Sequence, residues 1–486
     1  MEKRPNIVFI LTDDQGAWAL GKDTPELITP HLNQMIDEGT RFTNFFCASP
    51  VCSPARCSLV TGRLPSAHGV HDWLRAGNVA GNSLPEEMKN PAEPEPIDYL
   101  AGMPSVFDSL RQAGYRMGLV GKWHMGDSLR PREGFDEWTV HLYGGGSYMK
   151  APVCVDGQPQ FAGKYVTDFF TDHAVQFIDR HPDEPFLLSV HYTAPHTPWG
   201  HEQHRPDILA LYDDCPFENH PFHPLHPDQV GTCEVGDTDE KRKYLLKGYY
   251  AAITAVDEGV GRIMDALRRN GLSENTVVIF SGDNGMNLGQ HGVWGKGNGT
   301  YPMNMYDTSV KIPFIVWGPG YVRQGATVEN LTSHYDVLPT LRDFLGQPTD
   351  EAEKLPGESF LKELTEGREP MDRQLCILDE YGPVRMIRSR THKLVVEPIR
   401  GNHQLYDLAE DPEETVNHFG EEKYAAVQQA LSEALEGAWR QYTEAPYDGA
   451  KTMPTGSGQL GKIYEEGADV FHPQILYFKD KPVKPF

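Results

Sequence analysis

Short apolar runs that alternate with helical patterns constrain this chain most, because few folds accommodate that alternation. The runs have the length of strands, and in the stretches between them apolar residues recur at helical spacing. The runs are Asn6–Leu11, Tyr115–Val120, Pro185–Val190 and Thr276–Phe280, and the helical stretches include Pro30–Glu38, Ser105–Ala113, Asp168–Arg180 and Lys243–Arg269. Alternation of this kind is typical of βαβ units. The sequence therefore predicts an α/β fold with a large, mainly parallel sheet flanked by helices.

A polar cluster directly follows each of these predicted strands. The clusters are Thr12–Gln15, Gly121–His124, His191–His196 and Ser281–Gly285. In open parallel sheets, ligands bind outside the carboxyl ends of the strands. The clusters supply acids, amides, a lysine and histidines to that edge of the sheet, so we expect the active site there.

The pattern changes after about residue 370. Runs typical of short antiparallel strands occur at Leu375–Leu378, Val384–Arg388, His392–Glu397 and Leu405–Leu408, and a helix is predicted over Lys423–Arg440. Strands followed by a helix are typical of an α+β arrangement. We therefore expect a catalytic domain over residues 1–370 and a smaller α+β domain, with a short antiparallel sheet and a tail, over residues 371–486.

The chain is strongly acidic. Its 44 Lys and Arg residues against 69 Asp and Glu residues give a formal net charge of −25. Such a charge repels phosphate backbones and anionic lipid surfaces, so we expect neither nucleic acid nor a membrane as a partner. No apolar leader precedes the first strand, which favours a cytoplasmic location. A chain whose leader had been removed would look the same, so a secreted or periplasmic location stays open.

Cys52 carries the most specific signal. It begins the pentapeptide Cys52–Arg56, where Ser53 is predicted to cap a helix and Pro54 to open it, with the helix running to about Thr61. Residue 52 would then lie at the positive end of the helix dipole, a position that suits a tetrahedral anion. A cysteine before a helix is more often an ordinary packed thiol, so the position alone decides nothing.

The pentapeptide, followed by Leu59–Arg63, resembles the signature of the type I, formylglycine-dependent sulfatases of the alkaline phosphatase superfamily. The resemblance runs from Asn6 to about Phe419, with its motifs in the family's order. It implies an alkaline-phosphatase-like fold and hydrolysis of a sulfate monoester to an alcohol and inorganic sulfate. It also implies that a formylglycine-generating enzyme converts Cys52 to formylglycine, whose hydrated aldehyde is the nucleophile.

Oxygen donors at the ends of two predicted strands form a candidate cation site. They are Asp13, Asp14, Asp283 and Asn284. One Asp after a strand is usually a turn or helix cap, but the four together are better explained by a cation. Oxygen-only donors favour calcium or magnesium over zinc. The resemblance implies calcium, with magnesium as the alternative, and a further contact from formylglycine at position 52.

Basic residues complete the expected catalytic set, which is Cys52, Arg56, Lys122, His124, His196 and Lys296. Arg56 lies one helical turn after Cys52, so its guanidinium can return to orient the formylglycine. The resemblance implies that Lys122 bridges nucleophile and sulfate and that His124 is the base of the elimination step. It also implies that His196 and Lys296 bind sulfate and help to protonate the leaving oxygen; which of the two is the acid stays open.

The substrate beyond the sulfate group is less constrained by the sequence. Asp72, Arg75 and His291 are candidate contacts for the leaving group, although each is as well explained as part of a polar connection. Polar residues such as Asp72 and Arg75 favour a sugar sulfate, whereas Trp73, Trp199 and Trp294 favour an aryl or steroid sulfate. Both substrate classes stay open.

Three other functions compete with a sulfatase. Phosphonate monoester or phosphodiester hydrolases of the same superfamily use a similar formylglycine site. A metal-dependent phosphatase with Cys52 as a thiol would need a second set of metal-binding His and Asp residues, which is not evident. An inactive binding protein on the same scaffold would lack a ligand or an acid, yet every expected position is filled.

Overall fold

The computed structural model describes residues 4–80, 84–89, 95–367, 373–377, 384–398, 400–449, 454, 456, 458–463 and 470–471. None of the helices within these ranges combines the length and the apolar character that a membrane span requires.

The described residues form strands and helices in alternation. The strands are β1 (Asn6–Thr12), β2 (Thr40–Phe42), β3 (Phe45–Phe46), β4 (Arg116–Lys122), β5 (Glu137–His141), β6 (Pro152–Val155), β7 (Gln158–Phe161), β8 (Phe186–His191), β9 (Thr276–Gly282), β10 (Asn287–Leu288), β11 (Trp294–Gly295), β12 (Phe314–Trp317), β13 (Ala326–Val328), β14 (Thr332–Ser333), β15 (Leu375–Ile377), β16 (Arg385–Arg388), β17 (His392–Val396) and β18 (Gln404–Asp407). The helices are α1 (Pro30–Glu38), α2 (Cys52–Thr61), α3 (Pro65–His68), α4 (Val106–Gln112), α5 (Val166–Arg180), α6 (Pro206–Ala210), α7 (Asp239–Arg269), α8 (Asp307–Val310), α9 (Val337–Phe344), α10 (Leu361–Thr365) and α11 (Ala425–Tyr442).

A ten-stranded sheet forms the centre of the described chain, in the order β13-β2-β12-β9-β1-β8-β4-β5-β6-β7. The four predicted apolar runs are β1, β4, β8 and β9, which lie side by side and pair in parallel. Strands β6, β7 and β12 pair antiparallel with their neighbours. The central strands are buried on both faces, which explains their nearly continuous apolar sequences. The predicted α/β fold with a mainly parallel sheet is confirmed.

The helices cover both faces of this sheet. Helices α1 and α4 match the predicted stretches to within a residue at each end, and Ser105 caps α4 by accepting a hydrogen bond from the Asp108 backbone. Helix α7 begins at Asp239, four residues before the predicted start, because the Thr238 hydroxyl caps it and acidic residues fill its first turn. Apolar periodicity cannot report such a polar first turn.

The C-terminal part has the predicted antiparallel sheet, in the order β15-β16-β17-β18, with α11 packed on β16 and β17. Its buried side chains belong to the same apolar cluster as side chains of β12 and α2. Leu378 and the predicted domain boundary after residue 370 lie outside the described residues. The division of the chain into two domains therefore stays a prediction.

Buried neutral histidines away from the sheet edge give stability a definite pH dependence. Burial lowers the pKa of His71 to about 3 and the pKa values of His204 and His220 to about 4. An unfolded histidine titrates near 6.5, so between pH 7 and pH 4 the unfolded chain binds protons that the folded chain does not. Each such histidine should therefore cost about 1 to 2 kcal/mol of folding free energy at pH 5.

We expect His204→Gln to lose less stability than the wild type between pH 7.5 and pH 5.0. The amide oxygen of the introduced glutamine can accept a hydrogen bond from the Tyr165 hydroxyl, as His204 Nδ1 can, but the amide does not titrate. Urea denaturation at the two pH values measures the difference. The exposed His223→Gln serves as the matched control and should behave like the wild type. An unchanged pH dependence in His204→Gln would contradict the prediction.

Candidate active site

The carboxyl ends of the four central strands bring the predicted polar clusters to one edge of the sheet. Asp13 and Asp14 follow β1, Lys122 ends β4, and Asp283 and Asn284 follow β9. The segment after β8 carries His196 to the same place, where its Nε2 lies 3.7 Å from an Asp14 carboxylate oxygen. The sheet topology thus assembles side chains that are more than 250 residues apart along the sequence.

Helix α2 places Cys52 at its first residue, facing this edge. The prediction that Ser53 caps the helix was wrong: Val51 occupies the cap position, and the Ser53 hydroxyl instead accepts a hydrogen bond from the Leu74 backbone at 3.1 Å. The Cys52 thiol is 2% exposed, and Lys296 Nζ lies 2.7 Å from its sulfur. Burial, with a contribution from the Asp13 carboxylate, raises the thiol pKa to about 12. An unmodified Cys52 is therefore a protonated and weak nucleophile at neutral pH.

Arg56, in α2, forms hydrogen bonds with residues at the ends of two strands of the sheet. Its guanidinium is fully buried, with Nε donating to Asp283 Oδ2 at 2.8 Å and a terminal nitrogen donating to the Lys122 carbonyl at 3.0 Å. Although burial opposes ionisation, Arg56 and the neighbouring lysines hold the pKa of Asp283 well below its usual range. Arg56 thereby connects α2, which begins at Cys52, to the ends of β9 and β4.

Three carboxylates meet beside Cys52. Oxygens of Asp13, Asp14 and Asp283 all lie within 4.8 Å of one another, and all three side chains are buried. The Asn284 amide donates to Asp14 Oδ1 at 2.9 Å. Burial, and then repulsion from Asp283, raises the pKa of Asp13. Such crowding of buried acids is costly unless positive charge compensates it.

Two oxygens of these residues have the properties expected of ligands to a cation. Asp13 Oδ1 and Asn284 Oδ1 are buried and accept no hydrogen bond from the described residues. A buried oxygen that accepts no hydrogen bond destabilises the folded chain, because it has lost its contacts with water. A hard divalent cation can replace the missing hydrogen-bond donor for oxygens of this kind. The residues present therefore fit a calcium-type or magnesium-type site.

Two lysines supply positive charge beside the carboxylates. Lys122 Nζ lies 2.5 Å from Asp13 Oδ2, and Lys296 Nζ contacts both Asp14 Oδ1 and the Cys52 sulfur. Although burial disfavours its charge, the carboxylate of Asp14 holds the pKa of Lys296 well above its usual range. The overall charge of the chain is negative, but Lys296 lines the pocket and presents an ammonium group to an anion there, whereas Lys122 is fully buried beside Asp13 and is not part of the pocket wall.

The two histidines differ in their surroundings. His124 Nε2 lies 3.0 Å from the Leu74 carbonyl, so Nε2 carries the proton and Nδ1 is the basic nitrogen, with no partner among the described residues. Burial, and then Lys122, hold the pKa of His124 well below its usual range, which keeps it neutral. His196 lies nearer the solvent, with 23% of its side chain exposed and Nδ1 hydrogen-bonded to the Thr197 carbonyl.

A cavity of about 450 Å³ opens over these groups. Its walls combine polar, aromatic and small residues. They are Asp14, Cys52, Trp73, Leu74, Arg75, Asn78, His124, Tyr143, Gly144, Gly145, His196, Thr197, Trp199, Thr232, Cys233, Met286, Gly295, Lys296, Asn298 and Gly456. The cavity is large enough for a sulfate group and at least one ring of a leaving group.

The leaving-group candidates from the sequence separate in the structure. Arg75 lines the cavity, as do Trp73 and Trp199. Asp72 does not: its carboxylate is fully buried and accepts hydrogen bonds from the Trp73 and Gly458 backbones, so it holds local structure instead. His291 lies outside the cavity wall and stacks on Tyr306 at 3.8 Å between ring centroids.

Sequence reasoning missed several parts of the wall, among them Asn78, Met286 and Asn298, and two further parts show why. The first is Tyr143–Gly145, for which the run of three glycines at 144–146 was an available signal. A Cβ at Gly144 would lie 2.3 Å from the His124 ring, so only glycine permits this approach. The second is Gly456 in the C-terminal tail, where no periodicity or motif marks the contact.

Comparison with known proteins gives matches over most of the chain. A family model described as Sulfatase matches residues 5–347, and one described as N-sulphoglucosamine sulphohydrolase, C-terminal, matches residues 289–441. The chain is 25% identical over 531 residues to an N-acetylglucosamine-6-O-sulfatase of Bacteroides thetaiotaomicron, covering 93% of this chain and 89% of that protein.

Solved structures share the fold across most of the chain. One, solved in complex with its substrate D-glucosamine-2-N,6-O-disulfate, has a TM-score of 0.73 at 22% identity and covers 92% of this chain and 100% of its own. A phosphonate monoester hydrolase from Silicibacter pomeroyi has a TM-score of 0.68 at 21% identity, covering 91% and 96%. At these identities the likeness concerns the fold alone.

Proposed function

The chain belongs to the sulfatase family of sulfuric ester hydrolases, and from that premise we propose that it hydrolyses a carbohydrate sulfate monoester with formylglycine derived from Cys52. The observation that carries the proposal is the position of residue 52. It begins α2, lies against Lys296, and faces a buried triad of carboxylates. A sulfate ester bound there would meet a helix N-terminus, two ammonium groups and a cation site.

We propose that Asp13, Asp14, Asp283 and Asn284 hold a divalent cation, calcium with magnesium as the alternative. Their buried oxygens without donors support this assignment. The ion would supply positive charge that lowers the pKa of the nucleophile's hydroxyl and neutralises charge on the sulfate. Arg56 keeps Asp283 ionised and in place for that role.

Burial raises the pKa of the Cys52 thiol, so the unmodified thiol stays protonated and reacts weakly. This supports the proposal that Cys52 is converted to formylglycine before it acts. Hydrated formylglycine would offer one hydroxyl that attacks sulfur and displaces the substrate alcohol, whose oxygen takes up a proton, and a second hydroxyl whose deprotonation restores the aldehyde and expels sulfate. The conversion requires a formylglycine-generating enzyme as a partner during maturation. That enzyme must act before folding is complete, because residue 52 is only 2% exposed in the folded chain.

The basic residues divide the remaining tasks. His124 has Nε2 held by the Leu74 carbonyl and Nδ1 without a hydrogen-bond partner among the described residues, so Nδ1 is placed to be the base that deprotonates the second hydroxyl. Lys296, which contacts Cys52 and lines the cavity, would orient the nucleophile and bind a sulfate oxygen, and Lys122 would add positive charge beside Asp13. His196, the partly exposed member of the set, is suited to donate a proton to the leaving oxygen at the mouth of the cavity.

The proposed substrate class is tested by a panel of esters. We expect hydrolysis of a monosaccharide 6-O-sulfate with kcat/KM at least about tenfold above that of 4-nitrophenyl sulfate, because the cavity wall offers Arg75 and Asn78 for hydroxyl contacts. The names of the sulfatase relative and of the substrate-bound neighbour support a sugar ester.

Each outcome of the panel decides between named alternatives. A preference for the aryl ester would favour an arylsulfatase-like activity over the sugar proposal. A larger kcat/KM for a phosphonate monoester than for any sulfate ester would favour the phosphonate monoester or phosphodiester hydrolase. Turnover of none of them, with the sulfates still bound, would favour an inactive binding protein.

A further inference from the structure

The C-terminal tail is built into the wall of the active-site cavity. Its described residues Gly456 and 458–461, here called the tail segment, lie against residues 69–76, here called loop 69–76. Gln459 forms a parallel bridge with Leu74, as a single extra strand would. The sequence offers no motif for this contact, and the two segments are more than 380 residues apart.

Gln459 makes most of the contacts between the two segments. Its side chain is fully buried, and Oε1 accepts hydrogen bonds from the His71 and Asp72 backbones at 2.9 and 3.4 Å. Its Nε2 donates to the Gly69 carbonyl at 3.1 Å and to the Gly461 carbonyl at 2.8 Å. A glutamine satisfied at both ends in this way fixes the path of the loop, and no other residue type supplies both donor and acceptor at that length.

The backbone of the tail segment forms further hydrogen bonds with loop 69–76. Gln459 N donates to the Trp73 carbonyl at 2.8 Å, and its carbonyl accepts from the Arg75 backbone at 3.0 Å. Gly458 N donates to the Asp72 carboxylate at 3.1 Å. Asp72 of the loop and Gln459 of the tail segment are both buried, and each forms hydrogen bonds with the other segment.

Several residues of loop 69–76 that contact the tail segment are themselves residues of the cavity wall, or lie next to one. Trp73, Leu74 and Arg75 line the cavity, together with Gly456 from the tail itself. The Leu74 carbonyl fixes the proton on His124 Nε2, and the Leu74 amide donates to the hydroxyl of Ser53, the residue after Cys52. A displacement of the loop would therefore move the leaving-group wall.

We propose that Gln459 is a positioning residue that sets the leaving-group side of the cavity, so that the C-terminal tail determines which sulfate ester fits. This inference rests on the proposed sulfate ester hydrolysis. The sulfate end of the cavity is built by strand ends and α2, and the tail segment is connected to α2 and His124 only through Leu74 of the loop. We therefore expect the tail to act mainly on the alcohol part of the substrate and to change the sulfate subsite far less.

The test compares saccharide binding with sulfate binding in Gln459→Ala, using the intact, matured enzyme. We expect KM for the preferred saccharide sulfate to rise by about tenfold or more, because small displacements of positioning groups are costly. The Ki of inorganic sulfate as a competitive inhibitor, which needs only the sulfate subsite, should change less than about twofold. Gln347→Ala removes one glutamine hydrogen bond, to the Ser109 carbonyl, away from the cavity and is the matched control.

A second variant guards against simple loss of folding. Gly458 has φ of +98°, and a Cβ there would lie 2.6 Å from Arg75 Cβ and 2.9 Å from the Trp73 ring. Gly458→Ala should therefore displace Trp73 and Arg75 while Gln459 stays in place. We expect the same rise in KM for the saccharide sulfate with little change in the Ki of inorganic sulfate. Hydrogen exchange of loop 69–76 should be faster in both variants than in the wild type.

The outcomes separate this inference from the function on which it rests. Wild-type KM in both tail variants would overturn the inference, as would parallel changes in KM and in the sulfate Ki, since these indicate a general loss of structure. A wild-type enzyme that hydrolyses no sulfate ester would instead contradict the proposed function. A selective rise in KM, with Gln347→Ala unchanged, would support the role of the tail.

Discussion

Replacement of Cys52 by alanine is expected to lower kcat/KM for the sulfate ester by about 10⁴-fold or more, because the nucleophile is lost. The remaining site would still bind sulfate, since Lys122, Lys296 and the carboxylates proposed to hold the cation stay in place. We therefore expect KM, or the Ki of inorganic sulfate, to change far less than kcat. Steady-state kinetics on the preferred ester measure both quantities.

Mass spectrometry checks the chemical basis of that loss. In active wild-type enzyme, the peptide containing residue 52 should be about 18 Da lighter than its sequence, because oxygen replaces sulfur and two hydrogens. Cys57 is the matched control: it is a buried thiol in the same helix, and Cys57→Ala should keep both the modification and the activity. Full activity in a preparation whose Cys52 is wholly unmodified would contradict the formylglycine mechanism.

Asp13→Asn is expected to lower kcat/KM by about 10² to 10⁴-fold, through loss of the divalent cation. The substitution preserves shape but removes one of the three charges that meet beside Cys52. Chelation of the wild type should cause a comparable loss, which added Ca²⁺ reverses. Activity measured over a range of Ca²⁺ concentrations gives the shift in apparent affinity.

Thermal unfolding provides a readout of the same site that does not depend on turnover. A cation that binds only the folded chain should raise the stability of the chelated wild type by about 3 kcal/mol at 100 times its Kd. This stabilisation should be largely absent in Asp13→Asn. Asp257→Asn is the matched control, because that buried carboxylate accepts hydrogen bonds from the His31 and Leu32 backbones, away from the cavity. An equal response to Ca²⁺ in Asp13→Asn and in the control would contradict the assignment of the site.

Much of the fold was predictable because it is recorded locally along the chain. The strands β1, β4, β8 and β9 are apolar over most of their length, since both faces of the sheet are covered. The start of α7 was missed because its first turn is polar and its periodicity begins later. The small C-terminal sheet was found because its strands follow each other closely and pair with their neighbours.

The tertiary structure changed the interpretation of individual side chains. Ser53 was expected to cap α2, but it binds Leu74 from within the helix, because loop 69–76 passes over the start of α2. Asp72 was a candidate substrate contact and instead holds the tail through Gly458. A polar side chain in a loop has the same sequence signature in either role, and only its burial distinguishes them.

The sequence by itself determined the class of fold, the residues gathered at the carboxyl edge of the sheet and the family resemblance that centres on Cys52. Each of these follows from short-range patterns: alternation of apolar and polar stretches, residue type at strand ends, and a contiguous motif. Only the tertiary structure decided how the cavity wall is built: Trp73, Arg75 and Gly144 line it, and Gln459 of the tail holds loop 69–76 by hydrogen bonds. The physical reason is that these contacts join segments far apart in sequence through buried backbone hydrogen bonds, which leave no periodicity for the sequence to show.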